Sequence, residues 1–485
     1  MKLNDTELLR RQAWIDGQWV DAHSRNTLIV TNPFDGTELG RVPSLSGEET
    51  VKAIEAAEKA LAVWQKYTVK ERYDILYRWF QLIMECQDDL AVILTSEQGK
   101  PLAEARGEVA YAAAFVQWYA EEGKRVYGDT IPALSRDQRV LVLKQPVGVC
   151  AAITPWNFPA AMITRKVAPA LAAGCTAIIK PASQTPLTAL AMAELSRRAG
   201  LPAGVLNVVT GAAGVIGGAL TASPAVRKLS FTGSTDVGRK LMAQCADTVK
   251  KISLELGGNA PFIVFDDADV DQAVEGAMIS KYRNSGQTCV CANRIFVQDG
   301  IYKAFSQKLV NEVENLKLGS GLDPDVQQGP LIDQAAVAKV SAHIEDALSQ
   351  GAQLLTGGKP HPLGGTFFQP TVLGNVNSDM TVAADETFGP VAPLIRFSTE
   401  EDVIRMGNDT PYGLAAYFYA RDVGRIFRAA EALEYGIVGV NTGLISTEMA
   451  PFGGVKQSGI GREGSRYGID EYLEMKYVCL AGIGA

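Results

Sequence analysis

The chain has 485 residues, of which 47% are hydrophobic and 21% charged, and its formal net charge is −8. At roughly 100–200 residues per domain, this length predicts two to four domains with substantial cores. The negative charge disfavours nucleic acid as a partner, and the charged N-terminus and the lack of a long apolar run predict a cytoplasmic chain without a secretory signal or a membrane span.

The N-terminal part is predicted to be a short hairpin followed by helices. Residues 14–20 (WIDGQWV) place Asp-Gly between apolar residues, which is typical of a β-hairpin. From Gly47 to about Gly123 apolar residues recur at helical spacing, and Ser46 with Glu49 predicts a capping box at the start of the first helix.

From about Arg139 short apolar runs alternate with helical patterns, for example at 175–183, 205–211 and 226–234. This alternation predicts a doubly wound parallel sheet, and such sheets bind nucleotides at the carboxyl ends of their strands. A second series from Ala260 predicts another α/β domain. The strand-like segments at 128–145 and 468–482 predict an arm whose exposed edge needs a partner subunit.

The second series contains two cysteines one residue apart, Cys289 and Cys291, in the segment RNSGQTCVCANR. Zinc prefers about four ligands, and none of the three histidines is near the pair in sequence, so we expect no metal site. The seven cysteines are odd in number and scattered, which is not a disulfide framework. A nucleophile for carbonyl chemistry and a pair of small core residues remain as interpretations.

Two further residues lie at predicted strand ends and suit carbonyl chemistry. The amide of Asn157, in TPWNFP, could stabilise an oxyanion, although an N-cap fits that position as well. Burial of Glu255, in LELGGN, would raise its pKa as a general base requires, although the carboxylate could instead cap the Gly-Gly turn.

A third region suits a nucleotide. Residues 231–238 (FTGSTDVG) follow an apolar strand and open a helix, as a phosphate site requires, although this is not the GxGxxG pattern. After the strand in CTAIIKPAS, where dinucleotide folds often carry an acid, this chain has Lys180 and Ser183. A cation and a hydroxyl suit a 2′-phosphate better than a free hydroxyl.

Together the blocks TPWNFP, KPAS, FTGSTDVG, LELGGNAPFIVF, GQTCVCANR, ETFGPV and PFGGVKQSGIGREG resemble the aldehyde dehydrogenase superfamily, in order and across nearly the whole chain. The resemblance is nearest to its NADP-preferring succinate-semialdehyde dehydrogenases. It implies an α/β fold with a Rossmann-type cofactor domain (1–125 and 147–256), an α/β catalytic domain (257–455), and a β oligomerisation arm with a C-terminal strand (126–146 and 456–485). It also implies a homo-oligomer, a dimer or a tetramer.

The resemblance assigns roles residue by residue. Cys289 would attack the aldehyde, Asn157 and the Cys289 N–H would hold the oxyanion, and Glu255 would activate water to hydrolyse the thioester. The residues that match the family's cofactor contacts are Trp156, Lys180, Ser183, Gly233, Ser234, Leu256, Glu386 and Phe388. Members that prefer NAD often carry Glu at the position of Ser183, so NADP is the expected cofactor, with NAD possible.

For the substrate, the expectation is a semialdehyde whose distal carboxylate is held by Arg165 and Arg283, with Ser446 or Thr447 as a third donor. Arg165 is predicted to lie about two helical turns beyond Asn157, on nearly the same face. Surface arginines in ion pairs are the alternative interpretation.

Three other functions stay open: a glutarate-semialdehyde dehydrogenase, a binding relative without activity, and a cysteine hydrolase or acyltransferase without redox chemistry. Cys291 is either a small buried residue or a redox partner that traps Cys289 as a disulfide.

Overall fold

The computed structural model describes residues 1–483, and these residues form 20 strands and 15 α-helices. The strands are β1 (Ala13–Ile15), β2 (Gln18–Val20), β3 (Thr27–Thr31), β4 (Glu38–Pro43), β5 (Asp129–Ile131), β6 (Arg139–Pro146), β7 (Val149–Ile153), β8 (Thr176–Lys180), β9 (Leu206–Val208), β10 (Val226–Thr232), β11 (Lys251–Glu255), β12 (Ala260–Val264), β13 (Ala292–Gln298), β14 (Gln353–Thr356), β15 (Thr371–Gly374), β16 (Val391–Phe397), β17 (Ala415–Tyr419), β18 (Ile437–Val440), β19 (Gly459–Ile460) and β20 (Leu473–Leu480).

The helices are α1 (Gly47–Trp64), α2 (Val69–Glu85), α3 (Gln87–Gln98), α4 (Leu102–Glu122), α5 (Ala161–Ala173), α6 (Pro186–Arg198), α7 (Ala213–Ala222), α8 (Thr235–Ala246), α9 (Val270–Tyr282), α10 (Tyr302–Glu314), α11 (Gln334–Ser349), α12 (Thr381–Ala384), α13 (Glu400–Asn408), α14 (Val423–Ala432) and α15 (Tyr467–Asp470). None of the helices in residues 1–483 is both long and apolar enough to cross a membrane.

The predicted local structure of the N-terminal part is confirmed. Strands β1 and β2 pair as an antiparallel hairpin, and the two turn residues Asp16 and Gly17 have φ values of 50° and 75°, which the Asp-Gly sequence tolerates. Ser46 and Glu49 form the reciprocal capping box of α1. Helices α1 to α4 cover the region that the periodicity predicts to be helical.

The first large sheet has the strand order β19-β11-β10-β7-β8-β9-β1-β2. Its five central strands, β11 to β9 in that order, are all parallel to their neighbours. Their carboxyl ends therefore lie along one edge, where Glu255 pairs in register with Thr232, and Ile153 with Lys180. The doubly wound prediction is confirmed, and it gathers the predicted cofactor segments on this edge.

The second large sheet has the order β14-β15-β16-β13-β12-β17-β18, and only the edge strand β14 is antiparallel to its neighbour. Strand β13 is central and begins at Ala292, directly after the cysteine pair. Buried Phe, Tyr, Val and Ile side chains on both faces, such as Phe262 and Phe296, anchor this strand between α9 and α11. The loop with Cys289 thus rests on a rigid support.

A small third sheet, β20-β6-β5, lies in the segments of the predicted arm, and Met475 and Tyr477 of β20 and Leu134 of the β5–β6 connection are exposed. The predicted range 456–485 of the arm is not uniform, because β19 pairs with β11 in the first large sheet. Residues 484 and 485 of that range lie outside the described residues. The domain boundaries remain a prediction.

Candidate active site

Cys289 lies in a tight loop between α9 and β13. Three successive residues before it, Asn284, Ser285 and Gly286, have φ values of 50°, 57° and 74°, in the left-handed region that non-glycine residues rarely occupy. Such strained backbone persists only where the surrounding packing enforces it. Cys289 itself is partly accessible while Thr288 is buried, so the loop presents the thiol from an otherwise closed wall.

The thiol is not activated by its surroundings in the free protein. Burial raises the pKa of Cys289 to about 12, the nearby Glu255 carboxylate adds to the rise, and the Arg165 guanidinium opposes it. The sequence alone suggests an ordinary cysteine with a small thiolate fraction at neutral pH. In this environment the thiol stays protonated, so attack on a carbonyl requires that its proton be accepted by another group.

A cavity of about 380 Å³ brings together eight of the residues that the sequence singles out. They come from loops after β7, β10 and β11, from the cysteine loop, and from the segment after α12, and they are Trp156, Asn157, Gly233, Ser234, Leu256, Cys289, Glu386 and Phe388. Seven predicted site residues do not line this cavity, namely Lys180, Ser183, Glu255, Arg165, Arg283, Ser446 and Cys291.

Asn157 lies in the loop between β7 and α5. Its Nδ2 donates to the carbonyl of Gln287 at 3.1 Å, which leaves the second N–H of the amide for another acceptor. The N-cap interpretation is wrong, because Ala160 is the N-cap residue of α5 and its side chain makes no capping hydrogen bond. The prediction that Arg165 and Asn157 share a helix face is also wrong, because Asn157 precedes the helix.

Glu255 ends β11 and is buried. It does not cap the Gly-Gly turn, since Gly258 N–H donates instead to Glu386 Oε1 at 3.1 Å. Glu255 Oε1 has no hydrogen-bond partner within residues 1–483. Burial, together with the nearby Glu463 carboxylate, raises the pKa of Glu255 to about 8 against the opposing charge of Arg165. This is the environment that a general base needs.

The predicted phosphate contacts lie at the ends of β8 and β10. Ser234 is the N-cap of α8, and its hydroxyl accepts from Val237 N–H at 3.4 Å. The Lys180 ammonium forms no ion pair with any residue of the described chain, and burial lowers the pKa of Lys180 to about 8. Ser183, three residues later, is partly exposed. A buried cation without an acid beside it suits an anionic ligand.

The other wall of the cavity is formed by Trp156, Glu386 and Phe388. The Trp156 and Phe388 rings meet edge to face with centroids 5.6 Å apart, and Phe388 is held at φ 56°. Burial raises the pKa of Glu386 to about 7, against the hydrogen bond from Gly258 N–H. The Glu386 carboxyl accepts this hydrogen bond and lines the cavity together with the rings of Trp156 and Phe388.

Arg165 is fully buried in α5 and already has a carboxylate partner. Its Nε lies 2.8 Å from Glu463 Oε2, Nη2 lies 3.9 Å from Glu255 Oε2, and the guanidinium stacks 3.9 Å from the centroid of Phe452. Lys166 also pairs with Glu463. Burial alone would raise the pKa of Glu463, but the charges of Lys166 and Arg165 hold that pKa below its usual value. Arg165 is thus less available to a ligand than the sequence suggests.

Arg283 differs from Arg165. It takes part in none of the hydrogen bonds or ion pairs found across residues 1–483, and its guanidinium lies 5.4 Å from the Phe158 ring centroid. It lines a cavity of about 850 Å³ that is separate from the one with Cys289. Within the described chain, the Arg283 guanidinium is therefore free to donate hydrogen bonds to a ligand carboxylate.

Tyr111 of α4 lies within range of the charges of both Arg165 and Arg283. Its hydroxyl is buried and has no hydrogen-bond partner in the described chain. Burial raises the pKa of Tyr111. The charges of Arg165 and Arg283 lower this pKa, and those of Glu463 and Glu448 raise it. Glu448 belongs to the loop of Ser446 and Thr447, and Thr447 Oγ1 lies 3.4 Å from its carboxylate.

Cys291 is buried, and its Sγ lies 3.6 Å from the carbonyl of Lys281 and 3.7 Å from that of Ala292. All seven cysteines are free thiols. No group of three or more His, Cys, Asp or Glu side chains that could hold a metal is found in residues 1–483. The redox role of Cys291 stays a prediction.

The sequence model of the aldehyde dehydrogenase family matches residues 19–478. The chain belongs to this family. It is 64% identical over 480 residues to the Escherichia coli K12 protein named succinate-semialdehyde dehydrogenase (NADP(+)) GabD, with 99% of this chain and 100% of that protein covered. It is also 64% identical over 483 residues to the Pseudomonas aeruginosa protein named glutarate-semialdehyde dehydrogenase, with 100% of both chains covered.

A crystal structure described as an E. coli NADP dependent enzyme superposes with a TM-score of 0.98 at 64% identity, covering 99% of this chain and 100% of that chain. The predicted α/β fold of the aldehyde dehydrogenase type is confirmed. The chain is an aldehyde dehydrogenase, and the family as a whole uses nicotinamide cofactors.

The sequence did not predict several of the side chains that pack around the site of this aldehyde dehydrogenase. Lys166 and Glu463 look like surface charges, and only the fold buries them together. Helix α4 offered a signal, because Glu104, Glu108 and Tyr111 recur at helical spacing on one face, in a helix otherwise rich in alanine. Such spacing places the three side chains on one face, and burial of Glu108 on that face follows from the fold.

Proposed function

We propose that this aldehyde dehydrogenase oxidises succinate semialdehyde to succinate with NADP as the hydride acceptor. The observation that carries the proposal is the cavity itself, in which the Cys289 thiol and the Asn157 amide face the helix N-terminus at Ser234 and the carboxylate of Glu386. A thiol, an oxyanion donor and a nucleotide-type loop around one space support aldehyde oxidation rather than hydrolysis alone.

The steps follow from the positions of these groups. Cys289 Sγ adds to the aldehyde carbon while its proton passes to solvent, and the oxyanion that forms accepts hydrogen bonds from Asn157 Nδ2 and the Cys289 N–H. Loss of hydride from that carbon leaves a thioester. Glu255 then takes a proton from water, the hydroxide attacks the thioester, and the carboxylic acid leaves while Glu255 returns the proton to the Cys289 thiolate.

NADP fits the residues present. When bound, it supplies the nicotinamide that accepts the hydride. We propose that Lys180 and Ser183 hold its 2′-phosphate, because the Lys180 ammonium has no acid partner in residues 1–483 and the side chain is buried. The N-terminus of α8, capped by Ser234, suits the pyrophosphate, and Glu386 suits a ribose hydroxyl.

Replacement Ser183→Glu should shift cofactor preference from NADP towards NAD. A carboxylate close to a phosphate dianion costs several kcal/mol where solvent is partly excluded, so we expect kcat/KM for NADP to fall by roughly 100-fold or more while that for NAD is kept. Ser183→Ala removes the hydroxyl without adding charge and is the matched control. An unchanged NADP/NAD ratio in Ser183→Glu would show that this side chain does not face the phosphate.

For the substrate we propose a distal carboxylate that is held mainly by Arg283. The support is its unpaired guanidinium in the described chain and the orphan hydroxyl of Tyr111, on which the Arg283 charge bears. Arg165 would form the inner wall of this subsite, held in place by Glu463. The relatives at 64% identity are named for succinate and glutarate semialdehydes, both of which carry such a carboxylate.

Arg283→Ala should slow the oxidation of succinate semialdehyde but not that of butanal, which has no carboxylate. Loss of one charge-assisted partner costs about 2 kcal/mol or more, so kcat/KM should fall roughly 30-fold or more for the semialdehyde only. Arg283→Lys should recover part of the loss. Arg106→Ala, which removes an exposed arginine paired with Asp88, is the matched control.

Arg165→Ala should behave differently, because it releases Glu463 close to Glu255 and should therefore slow both aldehydes. If Arg283→Ala also slowed butanal and the semialdehyde equally, the distal carboxylate would not be held there.

Glutarate semialdehyde is the second candidate, since the P. aeruginosa relative named for it is equally identical to this chain. One methylene typically separates substrates by only about 1–3 kcal/mol. Rates of NADPH formation, followed by its near-ultraviolet absorbance, should be compared for succinate, glutarate and aliphatic aldehydes. Thioester or ester hydrolysis without any reduction of NADP or NAD would instead indicate a hydrolase.

We also propose that the arm formed by β5, β6 and β20 pairs with a second copy of the chain, giving a dimer or a tetramer. Its exposed apolar residues include Leu134 and Tyr477, and its outer strands leave backbone groups available for pairing. Light scattering of the purified protein measures the assembly directly. A monomeric mass would contradict this proposal.

A further inference from the structure

An ion pair with almost no exposure to solvent lies behind the active-site loop. Lys100 Nζ and Glu108 Oε2 are 2.5 Å apart, and the two side chains are 0% and 1% exposed. Buried ion pairs contribute little net stability, because the cost of removing both charges from water offsets their attraction. Stability therefore does not explain why this pair lies here, and its other contacts are more informative.

Both members of the pair bind the segment that carries Asn157. Lys100 Nζ donates to the main-chain carbonyl of Asn157 at 2.7 Å. Glu108 Oε1 accepts from the N–H of Ala160 at 2.9 Å and from that of Ala161 at 3.3 Å, at the start of α5. The pair thus contacts the Asn157 segment at both ends, with Lys100 in the loop before α4 and Glu108 in α4 itself.

A second contact ties the same segment to the cysteine loop. Asn284 Nδ2 donates to the carbonyl of Asn157 at 3.1 Å and also contacts the carbonyl of Gln287 at 3.2 Å. Gln98 Nε2 in turn donates to Asn284 Oδ1 at 2.9 Å, and Lys100 N–H donates to Gln98 Oε1 at 3.0 Å. The carbonyl of Asn157 therefore accepts from two side-chain donors, Lys100 Nζ and Asn284 Nδ2.

We propose that Lys100, Glu108 and Asn284 are positioning residues that act through Asn157, by holding its side-chain amide where the oxyanion forms. The proposal rests on the role of Asn157 given above. None of the three lines the cavity with Cys289, so none contacts the reacting carbon. Their effect is geometric, and misplacement of a donor by about 1 Å can cost on the order of 100-fold in rate.

The test uses the double variant Lys100→Met/Glu108→Met, which removes both charges and leaves neither without a partner. The rate of the first NADPH burst should fall by about 100-fold, whereas KM for the aldehyde and the affinity for NADP should change by less than about two-fold. The matched control is Lys228→Met/Glu471→Met, which removes another ion pair with a fully buried lysine. Its burst rate should stay close to that of the wild type.

The decisive measurement is a double-mutant cycle with Asn157→Ala. If the pair acts through Asn157, replacing it in the Asn157→Ala background should slow the burst by less than about two-fold further. Glycine tolerates the left-handed backbone at position 284, so Asn284→Gly is a second variant for the case in which the methionine variant does not fold. It should show the same loss of additivity with Asn157→Ala. Its expected loss in the wild-type background is about 10-fold.

Two results would overturn the proposal. One is an effect of either variant that adds in full to that of Asn157→Ala, which would assign a separate structural role. The other is an Asn157→Ala protein with an unchanged burst, which would leave no oxyanion donor to position. The proposed activity is judged independently, by whether the wild-type protein reduces NADP with a semialdehyde at all.

Discussion

Cys289→Ala should abolish aldehyde-dependent reduction of NADP, with kcat lowered by a factor on the order of 10⁴ or more. The physical reason is that no other thiol of the described chain lines the cavity with Asn157, so no substitute nucleophile reaches the aldehyde. Binding of NADP, measured by fluorescence titration, should be preserved, because the residues around Ser234 and Lys180 are unchanged.

The matched control is Cys291→Ala, which removes the neighbouring thiol and should retain most of the activity under reducing conditions. The same variant tests the redox prediction. If Cys291 traps Cys289 as a disulfide, dithiothreitol should reverse the peroxide inactivation of the wild type but not that of Cys291→Ala. Residual activity of more than a few per cent in Cys289→Ala would assign the chemistry to another group.

Glu255→Gln should produce a single burst of NADPH followed by steady-state turnover that is slower by about 100-fold or more. Attack by the thiol and loss of hydride do not need an activated water molecule, whereas hydrolysis of the thioester does. Rapid-mixing measurements with the semialdehyde separate the two phases. Loss of the burst together with turnover would indicate that Glu255 accepts the Cys289 proton instead.

The pH dependence provides a second test of the same residue. Because burial raises the pKa of Glu255 to about 8, the carboxyl is mostly protonated below that pH and cannot accept a proton from water. Hydrolysis of the thioester should therefore accelerate as the pH rises towards about 8 and level off above it. In Glu255→Gln this dependence should disappear. Glu386→Gln, which replaces a second carboxyl whose pKa is raised by burial, should keep it.

Features that depend on nearby residues and on strand order could be predicted from the sequence. The Asp-Gly hairpin and the capping box of α1 are local, and the structure has both. The alternation of strands and helices predicts a parallel sheet, and the carboxyl ends of such strands share one edge. For that reason the placement of Lys180 and Glu255 on a common edge could be predicted without knowing any contact.

The sequence also narrowed the chemistry. Three histidines and seven scattered cysteines disfavour a metal site and a disulfide framework, and the family resemblance then implies Cys289, Asn157 and Glu255 as the reacting set. What it described poorly is the electrostatic state of those groups. An isolated cysteine suggests an ordinary thiol, but the pKa of Cys289 is raised by burial and by Glu255, which lies far from it in the chain.

Which charged side chains pair with each other could not be predicted from the sequence. Arg165 and Arg283 look alike in the sequence, yet one is held by Glu463 while the other has no partner in residues 1–483. Lys100, in the loop before α4, and Glu108, in α4, look like surface residues, yet the fold buries both against the segment from Asn157 to Ala161. The physical reason is the same in each case. Burial and ion pairing depend on segments that are distant along the chain, and local periodicity carries no information about which of them pack together.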